Sequence, residues 1–263
     1  MSPSLRVLPN VVTPQSVREL VDTIEAVSGV HLWRGQGDIS WPLDSSMVRR
    51  LRKVSGPRRV SEREVAREEQ RLLKRARHLG FDRESGFALS DFELLARLRH
   101  HGAATRLIDF TRSAAVGLWF AAASEPSRSG VLLGVHTDYL SGHEGVPIDH
   151  DYPNELARLV AWNAKAGEPR IRTWQPGAVS PRTAAQHSQI SFSIVGQFTH
   201  GTMPLPTSQV DGCQVIEILP EIKPPALEFL RGTLDIGWST LFPDLDGFAV
   251  AWSVNAPEDV DRW

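Results

Sequence analysis

The sequence is poor in the residues that staple or anchor a chain. Its 263 residues hold one cysteine, two tyrosines and three methionines. A single Cys213 excludes an internal disulfide framework and points to a reducing compartment. Cys213 lies in an apolar strand-like run, which suits a core thiol better than a nucleophile. Membrane-length apolar runs are missing too: Ala114–Ala123 is stopped by Ser124-Glu125-Pro126. The opening MSPSLRVLPN lacks the apolar stretch of a signal peptide, so the expectation is a cytoplasmic protein with no membrane association. Also absent are a P-loop, a full GxGxxG, a GxSxG elbow, an HExxH pair and any repeat. The nine histidines show no zinc spacing, so no metal is expected.

What is present is a core and a lopsided charge. Hydrophobic residues make up 41%, enough to bury a real interior. The net charge is −2, yet residues 49–77 carry twelve basic and four acidic side chains, a local +8. Two readings stay open for that segment. It steers a polyanion such as nucleic acid, or it is a solvated helix face laced with i,i+3 ion pairs such as Glu64–Arg67 and Glu68–Arg71.

Along the chain, Thr13-Pro14 predicts the start of a helix continuing through Val17, Leu20, Val21 and Ile24 to Gly29. Val30–Trp33 reads as a strand ending at Arg34-Gly35-Gln36, and Ser45–Arg49 as a short turn. Ser61 with Glu64, and Ser90 with Glu93, spell capping boxes for helices ending near Gly80 and Gly102. Strands are predicted at Val131–Val135 and Cys213–Leu219. Helices are predicted at Pro153–Ala166, with a Pro/Gly-marked exit, and at Pro225–Leu230, capped at Gly232. Arg182–Phe192 reads as a turn entering a strand, and Asp244 as an N-cap before the apolar run Phe248–Val254. Helices and short strands without regular alternation predict an α+β fold: a mixed short-stranded sheet with several surrounding helices. One domain over 1–263 is expected, with 1–29 as a helical lead-in.

The chemistry concentrates in Leu98–Ala123, where His100-His101-Gly102 and Thr105-Arg106-Leu107-Ile108-Asp109 precede an all-apolar helix. A buried helix preceded by this polar stretch suits an anion. Equally, Asp109 or Thr111 caps that helix and Arg106 pairs with Asp109 to hold the turn. The second informative step is Trp33-Arg34-Gly35-Gln36. Its planar guanidinium suits phosphate, and its glycine offers close backbone approach.

These motifs together resemble the FRG domain. The aromatic-Arg-Gly step is Trp33-Arg34-Gly35. The family's Pro-Ser-Leu-Phe-Arg turn is similar to Ser45–Arg49. Its His-x-Gly-x-x-Thr-Arg-Leu-Leu-Asp-Trp-Thr signature matches His101-Gly102 and Thr105–Thr111, with one residue fewer between His and Gly, followed by Trp119-Phe120-Ala121. Later, Arg182–Ser191 and Phe242–Gly247 resemble two further family patterns. The resemblance implies bacterial and phage-conflict settings, hence a toxin or defence effector with an antitoxin or defence-system partner. The aromatic-Arg-Gly step also looks like the first motif of ADP-ribosyltransferases, implying a transferase-like fold and NAD as cofactor. On that reading Arg34, Gly35, Gln36, Thr105, Asp109 and Gln186 hold the nucleotide. Arg34, His101, Arg106, Ser191 and Asp244 serve the reaction, with Glu217 the alternative acid to Asp244. The competing reading is a non-catalytic nucleotide- or nucleic-acid-binding module. A nuclease using His101 and Arg106 ranks last, because no paired carboxylates accompany them.

Overall fold

The computed structural model describes residues 2–56, 58–84, 86–141, 151–166, 170–175 and 180–254. In chain order, strand β1 (Val11–Val12) leads to helix α1 (Val17–Glu25) and strand β2 (His31–Gln36). Helices α2 (Ser46–Ser55) and α3 (Glu62–His78) follow, then a hairpin of β3 (Arg83–Glu84) and β4 (Phe87–Ala88). Next come α4 (Asp91–His100), β5 (Ile108–Thr111), α5 (Ala114–Ala122), β6 (Gly130–His136) and β7 (Leu140–Ser141). The chain continues through α6 (Tyr152–Ala166), β8 (Ile171–Trp174), α7 (Pro181–Ala185), β9 (Ser188–Phe192) and β10 (Cys213–Ile218). It closes with α8 (Lys223–Leu234), α9 (Trp238–Leu241) and α10 (Leu245–Ala251).

Eight strands form one sheet in the order β1-β10-β6-β2-β5-β9-β8-β7. The β1–β10 and β7–β8 pairs are parallel and the rest antiparallel, so the sheet is mixed and the fold is α+β. The strands alternate their side chains between two faces. One face carries Leu32, Ile108, Phe110, Leu133, Val135 and Val215 and is covered by irregular chain bearing Leu5, Ile39, Leu43 and Met203. The other face is covered by helices in two groups. Residues of α1, α5, α8 and α9 pack on β2, β6 and β10, with Trp33, Leu118, Ile216 and Leu230 in the contact. Residues of α3, α4 and α6 pack with β8 and β9, where Phe92, Tyr152, Trp174 and Phe192 meet. Helix α5 lies so close to β2 that a Cβ on Gly35 would sit 1.9 Å from the Gly117 carbonyl oxygen. Lys223, at the start of α8, is buried and donates from Nζ to the carbonyls of Gly37, Ser124 and Glu125, each at 2.8 Å. It thus ties the end of β2 to the end of α5.

Several boundaries differ from expectation. Helix α1 starts at Val17 with Ser16 as N-cap, while Thr13 Oγ1 bonds Glu217 instead. The Ser45–Arg49 turn is the first turn of α2: Ser45 caps it, and Met47 and Val48 bury its apolar side. Helix α7 precedes β9 where only a turn was expected. Helix α8 runs through Gly232 and ends at Asp235 in the left-handed region, φ 55°. Both capping boxes form as expected, at Ser61/Glu64 and Ser90/Glu93. Helix α5 is capped by Ser113, not by Asp109 or Thr111, both of which lie in β5. The apolar run Phe248–Val254 stays largely at the surface. The Pro/Gly-marked exit after α6 falls partly outside the described residues.

Candidate functional site

Between the two helix groups, over β2, β5 and β9, opens a cleft of about 900 Å³. Strands β2 and β5 pair at one position only, Trp33↔Thr111, and the cleft lies at this sparsely paired seam. Asp109, Thr111, Ser188 and Ile190 contribute to its lining from the sheet. Helix α4 contributes Glu93, Arg97, Arg99 and His100; His101, its C-cap, lies beside them. Trp33, Phe120 and Phe242 supply aromatic surface, and Arg182, Thr183 and Gln186 close the far side.

Three guanidinium groups gather about one carboxylate. Arg99 donates from Nε to Asp109 Oδ1 at 2.9 Å and from Nη2 to Oδ2, a two-pronged pair, and from Nη1 to Ser46 Oγ at 3.2 Å. Arg34 donates from Nη1 to the Asp109 backbone oxygen at 2.8 Å and from Nε to Gln36 Oε1 at 3.2 Å. Its Nη2 has no partner among the described residues. Arg49 is close enough for its charge to act on both Arg34 and Arg99. Burial, with the like charges of Arg99 and Arg49 and against the pull of Asp109, brings Arg34 down to about 10, so it stays cationic at neutral pH. Burial also works against the Asp109 carboxylate, but Arg99, then Arg34 and His100, outweigh it and hold Asp109 below the usual range. Although ringed by protein atoms, the Asp109 side chain keeps 51% of its surface open. Arg34 and Arg99 face the cleft about the one Asp109 carboxylate and leave this end an excess of positive charge, while Arg49 stands outside the lining with Asp44 beside it.

At the other end, Arg182 Nη2 donates to Asp244 Oδ1 at 2.6 Å and lies over the Phe242 ring, 5.1 Å from its centroid. Asp244 also caps α10 through the Gly247 N–H at 2.8 Å and approaches His100 Nε2 at 3.8 Å. Burial, followed by Arg182 and His101, lowers the His100 pKa, with Asp244 pulling the other way. Gln186 Nε2 donates to the Leu241 carbonyl at 3.1 Å, while the Gln186 backbone carbonyl accepts from Thr111 Oγ1 at 2.8 Å.

Arg34, Gly35, His101, Asp109 and Gln186 therefore line one cleft, and Asp244 joins its rim through Arg182. The other sequence candidates do not reach it. Arg106 is 2% exposed and pairs with Glu69 at 2.6 Å and Glu62 at 2.8 Å, and with the Tyr152 hydroxyl. It does not pair with Asp109, whose carboxylate is taken by Arg99. Thr105 is wholly buried, its hydroxyl accepting from the Leu107 N–H at 3.2 Å. Gln36 acts on Arg34 from behind and donates to the Trp41 carbonyl at 3.4 Å. Ser191 pairs across the sheet with Ile108, on the face away from the cleft. Glu217 shares that far face and is held by Arg6 at 3.0 Å. Arg34 lies within β2 rather than at its end. The room beside Gly35 is taken up by α5, so packing requires this glycine, whatever binds in the cleft. Arg49 and Arg99 escaped the sequence reading as site residues. Arg49 was there to be noticed as the last residue of the Ser45–Arg49 match, and Arg99 stands two places before His101.

No curated protein and no solved structure matches the chain. The family model of the FRG domain matches residues 30–129. The later motifs, at Arg182–Ser191 and Phe242–Gly247, lie beyond the matched stretch. The matched stretch contains Arg34, Arg49, Arg99, His101 and Asp109.

Proposed function

We propose that the cleft binds a phosphate-bearing nucleotide, that NAD is this nucleotide, and that the protein transfers or hydrolyses its ADP-ribose group as a toxin or defence effector, with nucleic acid as the target. The observation carrying the binding half is the placing of Arg34 and Arg99 on Asp109 in a cleft that also carries the aromatic surface of Trp33, Phe120 and Phe242. A diphosphate needs the first and a base needs the second. The free Arg34 Nη2 offers a phosphate its donor, and the Gln36 contact aims the guanidinium.

The catalytic half rests on Asp109. An ionised carboxylate open to the cleft can steady the positive charge that gathers on a ribose as its bond to nicotinamide breaks. Arg99 fixes the carboxylate's orientation, and water or a target nucleophile completes the exchange. A specific observation favours the alternative, a module that binds without reacting: Ser191 and Glu217, two of the groups expected to react, occupy the far face of the sheet. Purified protein with NAD labelled in both halves separates the readings. Nicotinamide release lost in Arg34→Ala and Asp109→Asn supports the enzyme. Calorimetric binding lost in Arg34→Ala without any release supports the module. No binding at millimolar NAD overturns both.

A further inference from the structure

Beyond the cleft, helix α3 places a line of cations on its outer side. Its four acids are all spoken for. Glu62 and Glu69 turn inward to Arg106, Glu64 serves the Ser61 capping box and Arg58, and Glu68 pairs with Arg71. Among its cations, Arg77 is held by Asp91 at 2.5 Å. Arg63, Arg67, Lys74 and Arg75 are exposed and have neither an ion pair nor a side-chain hydrogen bond among the described residues. At about 100° per residue, Arg63, Lys74 and Arg67 fall within about 40° of one line along the helix, with Arg71 and Arg75 beside it. This line lies opposite the buried side formed by Val65, Glu69, Leu73 and Ala76. Arg63 to Lys74 spans eleven residues, about 16 Å, with a cation roughly every turn.

We infer that this face of α3 is a docking surface for the phosphodiester backbone of a duplex nucleic acid. Two of the four acids turn inward, and of the two intra-helix pairs expected of a merely solvated face Glu68–Arg71 forms while Glu64 turns to Arg58 instead, so the line through Arg63, Arg67 and Lys74 keeps its positive charge. Its shape selects the occupant. A stiff, straight row of cations follows a duplex backbone, whereas a single strand is held by aromatic platforms, and α3 has no aromatic residue. The inference deepens the nucleic-acid target of the proposed function by naming where that target sits. It requires no reaction in the cleft.

The test is fluorescence anisotropy of the full chain with 20-base-pair RNA and DNA duplexes across a salt series, alongside anionic phospholipid vesicles and a single strand. With four phosphates engaged, log Kd against log salt is expected to have a slope magnitude of about 3.5, and the Arg63→Gln, Arg67→Gln, Lys74→Gln variant to have one near 1. Affinity in about 0.1 M salt is expected to fall at least tenfold in that variant, with its melting temperature and NAD binding unchanged. A stronger response to RNA or to DNA identifies the source of the backbone and supports the inference either way. Duplex binding intact in a wild-type protein that does not bind NAD supports this surface and removes the cleft reading alone. Unchanged duplex affinity in the triple variant overturns the inference, as do tighter binding to vesicles or to the single strand and a slope near zero.

Discussion

Arg106 and Asp109 stand three residues apart in one short motif, yet they end in opposite environments. Arg106 enters the core, where Glu69, Glu62, the Tyr152 hydroxyl and the Ser193 carbonyl at 3.4 Å surround it. Burial penalises its charge, but Glu69 and Glu62 outweigh that penalty and hold it firmly cationic. Asp109 faces the cleft, also clasped by an arginine, but with half its surface open. Both are arginine–carboxylate assemblies. Enclosure separates them: the first exchanges water for protein on every side and fixes α3, α6 and the end of β9 about one point. The second leaves charge where a ligand can reach it. A charged motif residue thus has no single meaning; what closes over it decides.

Breaking the enclosed assembly should have the largest effect. Arg106→Met strands Glu69, which is fully buried, and should cost about 3–5 kcal/mol in a urea melt. Adding Glu69→Leu should recover most of the loss, because an unpaired buried charge, not the missing pair, is what destabilises. A single mutant as stable as wild type would show that Arg106 is less enclosed than the geometry states. Next comes Gly35→Ala. Its Cβ meets the backbone of α5, so a loss of about 1–3 kcal/mol or more is expected, with nucleotide binding falling only as the folded fraction falls. Selective loss of binding at full stability would restore the ligand-approach role for this glycine.

Asp109→Asn should cost less than about 1 kcal/mol, since a half-open pair is screened by solvent, yet abolish nicotinamide release if the cleft is catalytic. The Asp109 contribution to stability is present above the ordinary carboxylate pKa and is lost as pH falls through its lowered value, so the asparagine variant should differ from wild type least in acid. The smallest effect belongs to His100. Its lowered pKa means the unfolded chain takes up the proton first. Stability is therefore greatest above the ordinary imidazole value of 6.5 and declines below it, by less than about 1 kcal/mol. Melting curves at pH 7.5 and 5.5 for wild type and His100→Gln should show a smaller drop in the variant.

Local rules were legible in the sequence and distant partnerships were not. The two serine–glutamate caps, the all-apolar α5 and the strand β10 follow from residues that meet within one turn or one strand. The pairing of Arg106 does not, because Glu69 arrives from 37 residues away. Nor does that of Asp109, whose partner Arg99 sits on the preceding helix. Helix α2 was hidden because its basic residues leave a narrow apolar side of Met47, Val48 and Leu51. Of the six residues that the polar motifs suggested for one cleft, Arg34, His101, Asp109 and Gln186 meet there, while Thr105 and Arg106 go into the core. The face of the sheet each residue occupies was not legible, and that is what excluded Ser191 and Glu217.

The strand order bears on any attempt to produce the matched stretch by itself. Residues 30–129 hold only β2 and β5 of the main sheet, which share a single paired position. Their extensive partners, β6 and β9, come later in the chain, as does the lysine that donates to the carbonyls of Gly37, Ser124 and Glu125. A fragment cut at the limits of the match would present two open strand edges and a bare apolar helix, the makings of an aggregate. Expression plasmids should therefore carry the chain through α8 at least.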